Sequence, residues 1–325
     1  MKKRCLIVFW TALLLSIQSV LSQQQSCTAD SIKSWLIYLA SDEMKGRANG
    51  TREIETVAKW LSTMYKRYRL EEIGGLTDYT QVYMLDNDDT FIHKNIIGYI
   101  PAKNESDNNG PFVLLTAHYD HIGVSHSPFQ NDSIYNGADD NASGTVALLA
   151  IVKNLYDMDI QPECPIVFAA FSNEEIGLRG SSFFCESEVI PVQQIKININ
   201  LEMLSHSDEY GKNKFYITGP DYSNFQDIII DFNKDKDWKI ENIGETIANM
   251  LFRMSDNYAF VTYANQLNIC VPAHTISTSV GVGRHIHKLH DEIDLVDFDN
   301  MNRLVEYLTH LLIHLTSKDV VVQCK

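Results

Sequence analysis

The chain is poor in the features that would make several common readings possible. None of its six cysteines lies in a C-x-x-C pair, which argues against a zinc site built on thiolates. No G-x-S-x-G elbow occurs, so a serine hydrolase of that type is discounted. Proline is scarce, at 8 of 325 residues, and no Pro-rich linker, internal repeat or low-complexity tract divides the chain. The polar run Ala102–Pro111 is a loop, too short to be a domain boundary. Positive charge is in deficit: 27 Lys and Arg stand against 42 Asp and Glu, a formal net charge of −15. An acidic surface of this kind argues against nucleic acid or an anionic membrane as partner. The one long apolar stretch, Cys5–Leu15, is too short to span a bilayer.

That stretch has a different use. Lys2, Lys3 and Arg4 precede it, and the small residue Ser22 follows it. This is the pattern of a secretory signal peptide over residues 1–22. Its removal leaves 24 basic against 42 acidic residues, a net charge of −18. The expectation is an exported protein, periplasmic or secreted, with residues 23–325 forming a single catalytic domain. Export permits disulfides. Because domain termini often lie close together, Cys27 and Cys324 are one candidate pair among the five cysteines that remain, whose connectivity sequence does not fix.

The mature chain alternates between two periodicities. Ile32, Trp35, Leu36 and Leu39 recur at helical spacing, as do Ile54, Val57, Ala58, Leu61 and Tyr65. FVLLTA (112–117), PIVFAAF (165–171) and IKININL (195–201) are the continuous or near-continuous apolar runs of strands buried on both faces. TVALLAIVKNLYDM (145–158) and MNRLVEYLTHLLIHL (301–315) predict helices. This alternation predicts an α/β fold, with a mostly parallel central sheet and helices on both faces. Ligands bind beyond the C-terminal ends of such strands. His118 and Asp120 follow the first of the three runs, Glu174 and Glu175 the second, and Glu202 ends the third.

Three segments hold more chemistry than a surface needs. NGADDNASGT (136–145) places two acids in a turn of small residues before a helix. Asp or Asn there could simply cap the helix, but small residues also let backbone approach a ligand. FSNEEIGLRGS (171–181) sets adjacent carboxylates after a buried strand. They suit a first helical turn; in an extended stretch they would instead point to opposite sides, one to a metal and one to a substrate. HIHKLHDEID (285–294) carries three histidines, and a His, Asp and Glu donor set suits zinc.

LASDEMKGRANGT, TAHYDHIG, NGADDNASGT, FSNEEIGLRGS, NLEM, SDNYAF and IHKLHDEIDLVD follow one another in an order and at intervals that resemble the two-zinc aminopeptidase family. That family also includes glutamate carboxypeptidases and glutaminyl cyclases. The resemblance covers nearly the whole mature chain and implies the three-layer zinc-exopeptidase fold. It implies two zinc ions, held by His118, Asp140, Glu175, Glu202 and His287, with Asp140 bridging. Asp120 would orient His118, Glu174 would be the general base, and Asp291 would trail His287. The implied reaction uses water activated by a metal pair to release N-terminal residues from peptides with a free amine. One position departs from the family pattern: NLDM is usual, and this chain has NLEM, so filling of the first zinc site rests on the longer Glu202. His285 and His290 fall outside the expected register, and His121, His126, His206 and His274 match no motif. Ser255 and Asp256 either line the substrate pocket or cap a helix. The alternatives are a single-zinc glutaminyl-peptide cyclase and an inactive binding protein on the same fold. Four N-x-[ST] triplets occur, at Asn49, Asn104, Asn131 and Asn141; a glycan would not fit in the acid-bearing turn at Asn141.

Overall fold

The computed structural model describes residues 28–85, 88–129, 132–207, 210–281 and 284–325. The expected signal peptide and Cys27 lie outside them. Eight strands form one sheet: β1 (Thr80–Leu85), β2 (Asp88–Ile100), β3 (Phe112–His118), β6 (Ile166–Phe171), β7 (Ile195–Leu201), β8 (Lys214–Ile217), β9 (Lys239–Ile240) and β10 (Ala273–Ser277). Their order is β1-β2-β6-β3-β7-β10-β8-β9. The middle four, β6, β3, β7 and β10, run parallel, whereas β2 and β8 join them antiparallel. A two-stranded ribbon, β4 (Val124–Phe129) with β5 (Asp132–Ile134), interrupts the path out of β3.

Alternation along the central strands explains their apolar runs. Val113, Leu115, Ile166, Phe168, Ile197 and Ile199 face one core, whereas Leu114, Val167, Ala169 and Phe171 face another. Against the first face pack a helix over residues 28–39 (α1), α2 (Arg52–Arg67), α3 (Gly144–Asp157) and α8 (Phe298–Thr316). Against the second pack α4 (Arg179–Glu186) and α7 (Asn257–Gln266), through Phe184, Phe260 and Ala264. The fold is therefore α/β in three layers, as the alternation predicts. Helices α5 (Phe225–Phe232) and α6 (Glu245–Phe252) complete the set. Among the described residues, no helix is long and apolar enough to cross a membrane.

The candidate Cys27–Cys324 bridge is corrected: Cys324 is bonded to Cys270, with Cα atoms 6.4 Å apart. After α8 the chain turns back along Tyr222–Asn224, where Gln323 O accepts from Asn224 N and Lys325 N donates to Tyr222 O. That path carries Cys324 to the segment entering β10. Cys164 and Cys185 are buried free thiols.

Candidate metal centre

Parallel β3, β6, β7 and β10 end on one rim, and each delivers donors there. His118 closes β3, and Asp120 and His121 follow it. Glu174 and Glu175 follow β6, and Glu202 follows β7. The loop after β10 carries His285 and His287. The acid-bearing turn (Ala138–Ser143) enters the same space as it leads into α3.

The turn is shaped by contacts that its sequence only hints at. Neither acid caps α3. The Asn141 side chain instead meets the first amide of the helix: its Oδ1 accepts from Gly144 N and Met203 N, and its Nδ2 donates to Leu201 O. Gly137 is left-handed at φ +56°, and a Cβ there would stand 2.2 Å from Asp140 O and 2.5 Å from the His121 ring. Asp291 holds the turn from the far side, since Oδ1 accepts from Asp139 N at 2.8 Å and Oδ2 from Asp140 N at 3.0 Å.

Around this turn the donors gather. One oxygen of Glu175 lies 2.7 Å from His121 Nδ1 and the other 2.7 Å from His287 Nε2. Asp140 Oδ2 is 3.7 Å and 3.5 Å from the same two nitrogens. On the inner side His118 Nε2 lies 3.5 Å from Asp140 Oδ1 and 3.9 Å from Glu174. His121, Asp140, Glu175 and His287 can thus present one donor each to a common point, and so can His118, Glu174 and Glu175. His121 is the addition that sequence reasoning missed. Its only signal was its place three residues after His118 in a turn.

Of the two readings of Glu174 and Glu175, a first helical turn and an extended stretch, the extended one does not hold. The two glutamates open a turn in which Gly177 N and Leu178 N both reach Glu174 O. Asp120 organises that turn. Its carboxylate accepts from Glu174 N at 3.2 Å, Glu175 N at 3.3 Å and Asn49 Nδ2 at 2.7 Å. The side chain of the first N-x-[ST] triplet is therefore engaged inside the protein. His118 Nδ1 faces the Asp120 carbonyl at 3.2 Å and its carboxylate at 3.6 Å.

Glu202 is placed differently from the other expected ligands. Its Oε2 accepts from the Ser255 hydroxyl and from Asn200 Nδ2, and it is in neither donor group. Ser255 and Glu202 both line a cavity of about 360 Å³ that reaches Glu174, Glu175 and His287. Asp256 precedes α7 but makes no capping bond.

Electrostatics explain what the centre needs. Burial pushes Glu174 well above the usual carboxylate range; His118 opposes this, and Glu202 and Asp256 reinforce it. Burial also carries Glu202 up to about 8, and burial with the charge of Glu175 raises Asp140. Burial would raise Glu175 too, but bonds to His121 and His287 outweigh it and hold that carboxyl well below the usual range. Burial alone would lower His118, yet Glu174, Asp120 and Glu202 raise it well above the ordinary imidazole value. Buried acids crowded this closely call for compensating positive charge. Part of it is Arg47, fully buried behind the turn. Burial lowers the guanidinium to about 10 while Asp140, Asp291, Asp120 and Glu175 oppose the fall, so it stays charged at neutral pH. Arg47 donates to the carbonyls of Tyr119, Leu39, Asn136 and Gly137. The remaining need suits a dication. Imidazole and carboxylate donors are those zinc takes, and the buried Nε2 of His118 has no hydrogen-bond partner among the described residues.

The family model for "Peptidase family M28" matches residues 95–312. The chain belongs to this family. Aminopeptidase YwaD of Bacillus subtilis (strain 168) is 35% identical over 134 residues, covering 41% of this chain and 26% of that protein. Among solved structures, a zinc aminopeptidase from Bacillus subtilis superposes with a TM-score of 0.65 at 17% identity, covering 90% of this chain and 96% of its own. Porphyromonas gingivalis glutaminyl cyclase superposes with a TM-score of 0.62 at 18% identity, covering 87% and 97%. At these identities the superpositions speak for the fold. The chain spans less than half the length of the curated relatives it matches first.

Proposed function

We propose that this protein is an exported zinc aminopeptidase that hydrolyses the first peptide bond of substrates with a free N-terminus. The observation that carries the reading is the convergence of His121, Asp140, Glu175 and His287 beside His118 and Glu174, at the mouth of a cavity. Membership of a peptidase family supports peptide bonds as the target.

In this reading His118, Asp140, Glu175 and His287 hold zinc, with His121 beside them and Glu202 turning in from its Ser255 contact. Bound zinc would supply Lewis-acid polarisation and water activation. The protein's own groups do the rest. Glu174 takes the proton of the attacking water and hands it to the leaving amine. Its high proton affinity, moderated by nearby cations, suits that exchange. Asp120 keeps Glu174 and Glu175 in place through their amides. The cavity wall formed by Leu178, Met203, Tyr216, Leu251, Met254 and Ile286 favours an apolar first residue. The Cys270–Cys324 bond and the N-terminal leader pattern together support an oxidising, extracytoplasmic location.

The test is mass spectrometry of a peptide pool with free, acetylated and glutamine N-termini, incubated with the zinc-loaded mature protein. Chelator-sensitive loss of single residues from free N-termini is expected. Loss of ammonia from glutamine peptides without shortening would make it a cyclase, and no change in any peptide would leave a binding protein.

A further inference from the structure

Behind the centre lies a second set of donors. Asp139 points away from Asp140's partners, toward His206 and His285. His285 Nε2 is 2.9 Å from Asp139 Oδ2, and His206 Nε2 is 3.8 Å from the same oxygen. The two imidazole rings lie 4.2 Å apart at 32°. All three side chains are at least nine-tenths buried, and their donor atoms can share one point.

We propose that Asp139, His206 and His285 form a separate, closed site for a divalent transition ion, with zinc as the best fit. Two imidazoles and one carboxylate are a zinc donor set. Ligands about 2.0–2.1 Å from a tetrahedral ion stand about 3.3 Å from each other, and the two contacts to Asp139 Oδ2 bracket that spacing. The carboxylate is set for one-oxygen ligation. Its other oxygen, Oδ1, accepts from Ser205 N at 2.9 Å and Ser205 Oγ at 2.7 Å, the kind of outer bonding that fixes a ligand's orientation. Ser279 Oγ, 3.0 Å from His285 Nε2, is a further donor. The site would tie together the acid-bearing turn, the segment after β7 and the loop after β10. Its role is structural: burial leaves no substrate access, while Asp139 is the immediate neighbour of Asp140. The proposal does not rest on the peptidase reading.

The test is a crystal of the full mature chain grown with excess zinc chloride, with anomalous maps recorded above and below the zinc edge. The expected result is a peak bonded to His206 Nε2, His285 Nε2 and Asp139 Oδ2. Three ordered side chains with no peak between them would overturn the proposal, whether or not a peak stands at Asp140 and Glu175. That second position tests the proposed function separately. His206→Gln keeps an N–H donor toward Asp139, so a purely hydrogen-bonding role would survive it. Elemental analysis should find one zinc fewer per chain than in the parent, and an unchanged count would refute the site. If the variant does not fold, the map of the parent protein decides alone.

Discussion

Asp120 grips Glu174 by the backbone: its Oδ1 accepts from the Glu174 amide, while Oδ2 accepts from that of Glu175. Standing two residues after His118, at the end of β3, it fixes the turn that follows β6. In Asp120→Asn an amide N–H would confront a backbone N–H or the Asn49 amide. The glutamates should lose their alignment, and kcat/KM should fall about 10–100-fold, the usual cost of disturbing an outer partner of a metal ligand. Steady-state kinetics on a peptide substrate checks this; near-parental turnover would show that the amide bonds are dispensable.

Glu174→Gln should retain zinc yet lose about 10²–10⁴-fold in turnover, the range associated with a general base. Zinc content and kcat measured on the same preparation separate the two. A variant that is active would remove Glu174 from the chemistry.

Glu202 is a methylene longer than the aspartate usual in the family pattern, and Ser255 and Asn200 engage its Oε2. Glu202→Asp should hold zinc at least as well as the parent in a competitive chelator titration. A clear loss of zinc would show that the longer arm is needed to reach the ion.

Arg47 serves four carbonyls from a fully buried position. Arg47→Met leaves those carbonyls and the neighbouring acids without their cation, which should cost about 3–5 kcal/mol. Urea denaturation measures it. A loss below about 1 kcal/mol would mean that the turn carries its own stability.

His274 predicts a specific acid sensitivity. It is buried, and its Nδ1 faces Thr218 O while Nε2 meets the Ser223 hydroxyl. Burial lowers it from 6.5 to about 4; the Thr218 contact opposes this, and Lys325 adds to it. The unfolded chain therefore binds this proton more readily than the folded one. The resulting stability is present above about pH 6.5 and is lost as pH falls toward 4. Between pH 7 and 4.5 the loss should be about 2–3 kcal/mol. Stability curves for the parent and His274→Gln should diverge by that amount in their pH dependence; parallel curves would dismiss the effect.

Much of the layout was legible because burial on both faces leaves a plain mark. β3 and β6 are buried at every position, and apolar at nearly all, since helices cover both sides of the sheet. β9, α6 and the β4–β5 ribbon left no such mark: β9 has two residues and β5 three, and α6 buries only Ala248 and Phe252. Cys324 was legible as a disulfide candidate, but its partner depended on the return path after α8.

The amino-acid sequence by itself determined the sheet's central strands, the rim on which His118, Glu174, Glu175 and Glu202 emerge, and the family resemblance. These depend on local periodicity and on motif order, which a linear string records. Only the tertiary structure decided that His121 joins Asp140 and Glu175, that Asp120 holds two glutamates by their amides, that Arg47 stands behind the turn, and that His206 meets His285 over Asp139. Apart from His121 with Asp140, those contacts join residues about 50 to 150 positions apart, where spacing along the chain carries no distance. Parallel packing of four strands brings their ends together, and burial then makes each charge depend on its neighbours.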